Sequence, residues 1–163
     1  MRQRVRTLSP RIPPKVTSIS PVICSYTRAQ VLDMEESILA TLKFNLTVAH
    51  PCVFLDSFVD VFSASKDARA CALMLLEAVA IDYSFVSALP SKLTAAAVYL
   101  GMLMTGAAPD LSEERCCLLN CSRVELLEVA GRVNAAPFSD SIQKKYSLEL
   151  YGNIFSRFPK AQL

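Results

Sequence analysis

Six cysteines and one histidine hold most of the nucleophilic and metal-binding capacity of this 163-residue chain. The cysteines are Cys24, Cys52, Cys71, Cys116, Cys117 and Cys121. No two are spaced C-x-x-C, and His50 is far from the cysteine cluster in sequence, so zinc-ligand spacing is absent. Cys116, Cys117 and Cys121 fall in or beside a predicted helix, where a thiol serves as a small buried hydrophobe. The pattern suits a reducing compartment. His50 precedes Pro51 at a helix junction. No second ligand or nucleophile accompanies it, so it reads as an ordinary interhelix residue. There is no glycine-rich phosphate loop and no nucleophile with a plausible base. The chain reads as a non-enzyme without cofactor or metal.

One carboxylate has an informative setting. Glu35 lies four residues before Leu39, on the flank of an apolar stripe made by Val31, Met34, Ile38 and Leu42. A carboxylate there is expected to be partly desolvated and to need a donor. If that donor is not in this chain, it belongs to a partner. The element that must position Glu35 is a helix over 26–46. Thr27 and Gln30 form a capping box at its start, and Lys43 to Val48 form its exit.

The rest of the chain is organised to match. It is 52% hydrophobic and 20% charged, with 4 glycines and no tryptophan. That composition belongs to a compact helical protein rather than a disordered one. Arg2, Arg4, Arg6, Arg11, Lys15 and Arg28 precede the first acidic residue, Asp33; the remaining 11 basic residues face 15 acidic ones, a net of −4. A basic, proline-rich arm over 1–20 thus precedes a mildly acidic body. Ser9-Pro10 and Ser20-Pro21 are minimal proline-directed phosphorylation dipeptides. The acid-free start also resembles an organelle transit segment, against which Pro13-Pro14 argues. No apolar run reaches membrane-spanning length.

Beyond Pro51, helical spacing predicts five helices joined by short loops. The first carries Val53, Leu55, Phe58, Val59 and Phe62. Asp67 can cap the second, which runs to about Asp82. Residues 83–89 form a connector closed by Pro90. The third helix, 91–105, is apolar nearly all round and is expected to be the buried centre. The fourth covers 111–119, with acidic residues at its start. Ser122 and Glu125 form a second capping box, and Val124, Leu127, Ala130 and Val133 make the predicted stripe of the fifth helix. A last helix over 141–150 is expected to pack Tyr146 and Tyr151 back. Residues 155–163 read as a frayed end.

Residues 26–48 resemble the last helix of the first cyclin box in a mitotic, B-type cyclin, followed by its exit. Leu89-Pro90-Ser91 before an alanine-rich helix resembles the central helix of the second box. Ser141-Ile142-Gln143-Lys144-Lys145-Tyr146, then Tyr151, resembles the tail motif of A- and B-type cyclins. Ile12-Pro13-Pro14-Lys15-Val16 resembles the tract before a further short helix over 19–24.

The resemblance implies an all-α cyclin-box fold, with a five-helix domain preceded by a helix of an incomplete first box. The implied division is an arm over 1–20, the end of box one over 21–48, the C-terminal box with its tail helix over 49–155, and a tail over 156–163. It implies a non-catalytic regulatory subunit that binds a cyclin-dependent protein kinase through Glu35, Leu39, Phe44 and Leu46, in the nucleus and cytoplasm. No small-molecule substrate or membrane partner is implied. Helices that precede this region in complete cyclins have no match here, so partial or non-activating behaviour is the expectation. The alternative is a helical protein- or DNA-interaction module of the related transcription-factor-B-like fold. The acidic body argues against a nucleic-acid face.

Overall fold

The computed structural model describes residues 26–158, 160 and 161. The arm, both Ser-Pro dipeptides and the short helix over 19–24 lie outside the described residues. Among the described residues there are eight α-helices and no strand. The fold is all-α. The chain divides after Thr47 into two compact units.

The first unit contributes one described helix, α1 (Arg28–Thr41). The Thr27 backbone N–H donates to Gln30 Oε1 at 2.8 Å, and the Gln30 N–H donates to Thr27 Oγ1 at 3.3 Å. The predicted capping box therefore sets the start. The end comes earlier than the expected span to 46, because Lys43 and Phe44 both have positive φ and reverse the chain.

The second unit contains α2 (Cys52–Phe62), α3 (Lys66–Ala80), α4 (Pro90–Met104), α5 (Glu113–Leu118) and α6 (Arg123–Ala135). These are the five expected helices. Two tail helices follow, α7 (Asp140–Tyr146) and α8 (Ile154–Arg157).

Pro90 opens α4 at its first turn, where its missing N–H costs nothing. Eleven of the 15 α4 residues are buried, and the helix packs against α2, α3 and α6. It is the core element that its apolar pattern predicts. Its small residues set the approach of α3. A Cβ added at Gly101 would run into the backbone carbonyl of Ala68. Thr94 is fully buried, and its hydroxyl lies 2.7 Å from the Pro51 carbonyl and 2.9 Å from the Pro90 carbonyl. A buried hydroxyl so placed is satisfied and fastens α4 to the entry of α2.

Several local expectations are corrected. Ser65, not Asp67, caps α3, accepting the Ala68 N–H at 3.1 Å. Helix α3 stops at Ala80, and Asp82 caps a short 3-10 turn, Tyr83–Phe85, inside the predicted connector. In α6 the buried face is Leu126, Ala130 and Val133. Val124 is 75% exposed and Leu127 is 39% exposed. The stripe is therefore rotated from the predicted one, because α4 meets the face at spacing four and three from Leu126.

The tail differs too. Ser139 caps α7, which ends at Tyr146, and a 3-10 turn, Glu149–Tyr151, replaces its expected continuation. The described residues of the end are docked rather than frayed. Ile154 is buried, the Lys160 ammonium donates to the Asn134 and Ala136 carbonyls at 2.8 and 2.6 Å, and Asn134 Nδ2 donates to the Ala161 carbonyl at 2.9 Å. Lys160 supplies donors to carbonyls that the end of α6 leaves open. Burial lowers its pKa.

Candidate functional site

Glu35, Leu39, Phe44 and Leu46 all belong to the first unit. Leu39 is the one half-buried residue of α1; the others of that helix are exposed. Val31, Met34, Ile38 and Leu42 are all exposed, so the apolar stripe is open on the described surface. Glu35 is also exposed, which differs from the partial desolvation expected from its position beside the stripe. It accepts no hydrogen bond and makes no ion pair among the described residues. Glu35 and Leu39 line one apolar recess of about 800 Å³ together with Val31, Met34 and Ile38.

The end of α1 joins Leu39 to Phe44. The Phe44 N–H donates to the Leu39 carbonyl at 2.8 Å, and the Lys43 N–H donates to the Ala40 carbonyl at 3.0 Å. This pair of bonds is a Schellman reversal, which satisfies carbonyls that the helix end leaves open. It needs a left-handed residue, usually glycine, yet Lys43 has φ 51° and Phe44 has φ 55°. Two side-chain-bearing residues held there store strain of roughly 1 kcal/mol each. Phe44 is 69% exposed and Leu46 is 60% exposed. The turn thus presents two large apolar side chains to solvent beyond the helix. Such a surface can anchor a partner by burial, and a neighbouring carboxylate can accept the partner's donors.

The residues weighed for other chemistry take ordinary places. His50 is exposed, and its Nδ1 accepts the Cys52 N–H at 3.2 Å. Cys71, Cys116 and Cys121 are buried, but Cys52 and Cys117 are exposed, so Cys117 is not the buried thiol expected. Burial, with Asp67 adding to it, pushes the Cys71 thiol up to about 12. No group of three or more His, Cys, Asp or Glu among the described residues could hold a metal ion. No described helix is long and apolar enough to cross a membrane.

One polar cluster escaped the sequence reading. Glu77 on α3 accepts from Lys145 Nζ at 2.6 and 2.9 Å and from the Tyr146 hydroxyl at 3.0 Å. The Lys145 ammonium also stands 5.2 Å from the ring centroids of both Tyr146 and Tyr151. This clamp fixes the tail helix on α3. The signal was Glu77 itself, the one carboxylate in the apolar run from Ala70 to Ile81. Its partner lies 68 positions away in sequence, beyond any periodicity.

The architecture is that of an all-helical packing domain built on a buried central helix, with an open helix and turn in a separate unit. A family model for the cyclin C-terminal domain matches residues 49–160. The chain belongs to the cyclin family. Its curated relatives include Cyclin-B2-1 of Oryza sativa subsp. japonica, 39% identical over 138 residues, which are 78% of this chain and 32% of that protein. Cyclin-B1-1 of the same subspecies is 31% identical over 150 residues, 85% of this chain and 33% of that one. Cyclin-B2-2 of Arabidopsis thaliana is 30% identical over 145 residues, 84% and 33% respectively. These relatives place the chain with the B-type mitotic cyclins. The chain spans about a third of the length of these curated relatives.

Proposed function

We propose that this chain is a cell-cycle regulatory subunit of the cyclin type that binds a cyclin-dependent protein kinase through Glu35, Leu39, Phe44 and Leu46. The observation that carries the reading is the strained turn after α1. It joins Leu39 to Phe44 backbone to backbone and leaves Phe44 and Leu46 in solvent. Strain of this kind is kept where the surrounding structure or a partner makes use of it. Leu39, Phe44 and Leu46 supply apolar anchors, and Glu35 accepts hydrogen bonds from the kinase. The chain's contribution is binding and positioning, not bond chemistry. Work in the nucleus and cytoplasm goes with this role.

A binding titration of the purified chain against a cyclin-dependent kinase tests the proposal. Leu39→Asp places a charge at the centre of the anchor and is expected to weaken binding by about 2 kcal/mol or more, roughly thirtyfold. Glu35→Ala is expected to cost less, since only its hydrogen bonds are lost. Unchanged affinity in Leu39→Asp, with the helical circular dichroism intact, sinks the proposed surface.

A further inference from the structure

Four described α-helices end in the same reversal. Helix α1 pairs Leu39 with Phe44, α2 pairs Val59 with Ala64, α4 pairs Met102 with Ala107, and α5 pairs Cys116 with Cys121. In each, the N–H of the second residue donates to the carbonyl of the first, and a left-handed residue stands at the turn: Lys43, Ser63, Gly106 or Asn120. An apolar contact between the side chains of the paired residues frequently accompanies this motif. Three of the four pairs are apolar in that ordinary way. The fourth is two thiols.

The backbone of that fourth pair brings the two cysteines close. The Cys121 N–H lies 3.1 Å from the Cys116 carbonyl oxygen. Standard backbone dimensions then hold the two Cα atoms within about 7 Å. Disulfides span roughly 4.4–6.8 Å between Cα atoms. Cys116 and Cys121 are both buried, at 8% and 5% exposure, whereas the intervening Cys117 is exposed. All three line an open recess of about 600 Å³ with Asn120 and Ser122.

We propose that Cys116 and Cys121 are a dithiol that closes reversibly to a disulfide, with Cys117 outside the bridge. The co-reactant is a low-molecular-weight disulfide. Cys116, which lines the recess, attacks one sulfur of that reagent as its thiolate, forms a mixed disulfide and expels one small thiolate. Cys121 then attacks the Cys116 sulfur as its thiolate and expels the second. The two protein thiols are oxidised, the reagent is reduced to two thiols, and the two protons end on those products. The bridge ties the end of α5 to the residue before Ser122, the cap of α6. Burial, with Glu125 adding to it, raises the pKa of the Cys121 thiol.

Mass spectrometry reads this directly. The full chain is incubated with glutathione disulfide, quenched with a maleimide and cut with trypsin. Cleavage after Arg115 and Arg123 gives one peptide, 116–123, that contains all three thiols. The expected peptide is lighter by two hydrogens, with Cys117 alone free for alkylation or glutathionylation, and reduction restores three alkylation sites. In Cys121→Ser the mixed disulfide at Cys116 is expected to persist. Three unbridged thiols in the wild type, or a bridge that includes Cys117, overturns the proposal. So does the same pairing pattern in urea-unfolded chain, because the turn would then not be selecting the pair.

Discussion

Helices α1 and α6 begin alike and end in opposite surroundings. Both open with a complete capping box, Thr27 with Gln30 and Ser122 with Glu125. Both carry apolar residues at helical spacing. Yet α6 buries Leu126, Ala130 and Val133, while α1 has no buried residue. The box satisfies N–H groups within one turn, so it acts wherever the segment lies. Burial depends on what stands opposite. For α6 that is α4; for α1, Phe44 and Leu46 stand in solvent just beyond the helix. The two helices therefore share a local code and divide the work. One builds the core, and the other offers a surface.

The largest expected difference comes from truncating each apolar face. Leu126→Ala should destabilise the second unit by about 3 kcal/mol in a denaturant titration, because it opens a cavity against α4. Ile38→Ala on the exposed stripe should change stability by less than about 0.5 kcal/mol. Equal losses would show that α1 is as buried in solution as α6.

Removing each cap should have nearly equal effects. Ser122→Ala and Thr27→Ala should each cost about 1 kcal/mol of local stability, read as lost amide-exchange protection in the first turn of the corresponding helix. A much larger loss at Ser122 would mean that its box also carries packing.

Strain at the end of α1 gives an effect of the opposite sign. Lys43→Gly should stabilise the end of α1 by roughly 0.5–1 kcal/mol, because glycine adopts positive φ without a Cβ clash. Weaker protection in the variant would show that Lys43 contributes more by its side chain than it costs by its backbone.

The smallest difference is chemical. Hydrogen bonding from Lys92, then from the Ser122 backbone and hydroxyl, holds the Glu125 carboxyl at about 2, below its ordinary 4.5. A lowered folded pKa contributes stability above the unfolded value that is lost as pH falls toward the folded one. Protection at the start of α6 should therefore decline between about pH 4.5 and 2. The α1 box uses Gln30, which does not titrate, and should hold through the same range. Glu125→Gln should flatten the acid limb at α6. Parallel acid losses at both helices would break the distinction.

Much of the fold was legible because its signals were local. Thr27, Ser122 and Pro90 mark helix starts through hydrogen bonds, or the lack of one, within a single turn. The apolar composition of 91–105 marked α4 as the centre, since such a helix has no solvent face to offer. The position of Glu35 beside the stripe was legible, but not that its carboxylate would be exposed. Leu39, Phe44 and Leu46 were reached through resemblance. The Schellman turn that joins Leu39 to Phe44 was not, because Lys43 and Phe44 are not residues that advertise left-handed backbone.

By itself, then, the sequence determined the helical class, the order of the helices of the second unit, the capping boxes of α1 and α6, and the family. Those properties follow from interactions among residues about four positions apart or fewer. Tertiary structure decided which face of α6 is buried, which of Cys116 and Cys117 is hidden, that Glu77 receives Lys145 and Tyr146, and that Lys160 closes the end of α6. Each of these depends on which surface stands opposite, and neighbours brought together from 20 to 70 residues apart leave no periodic trace in either segment.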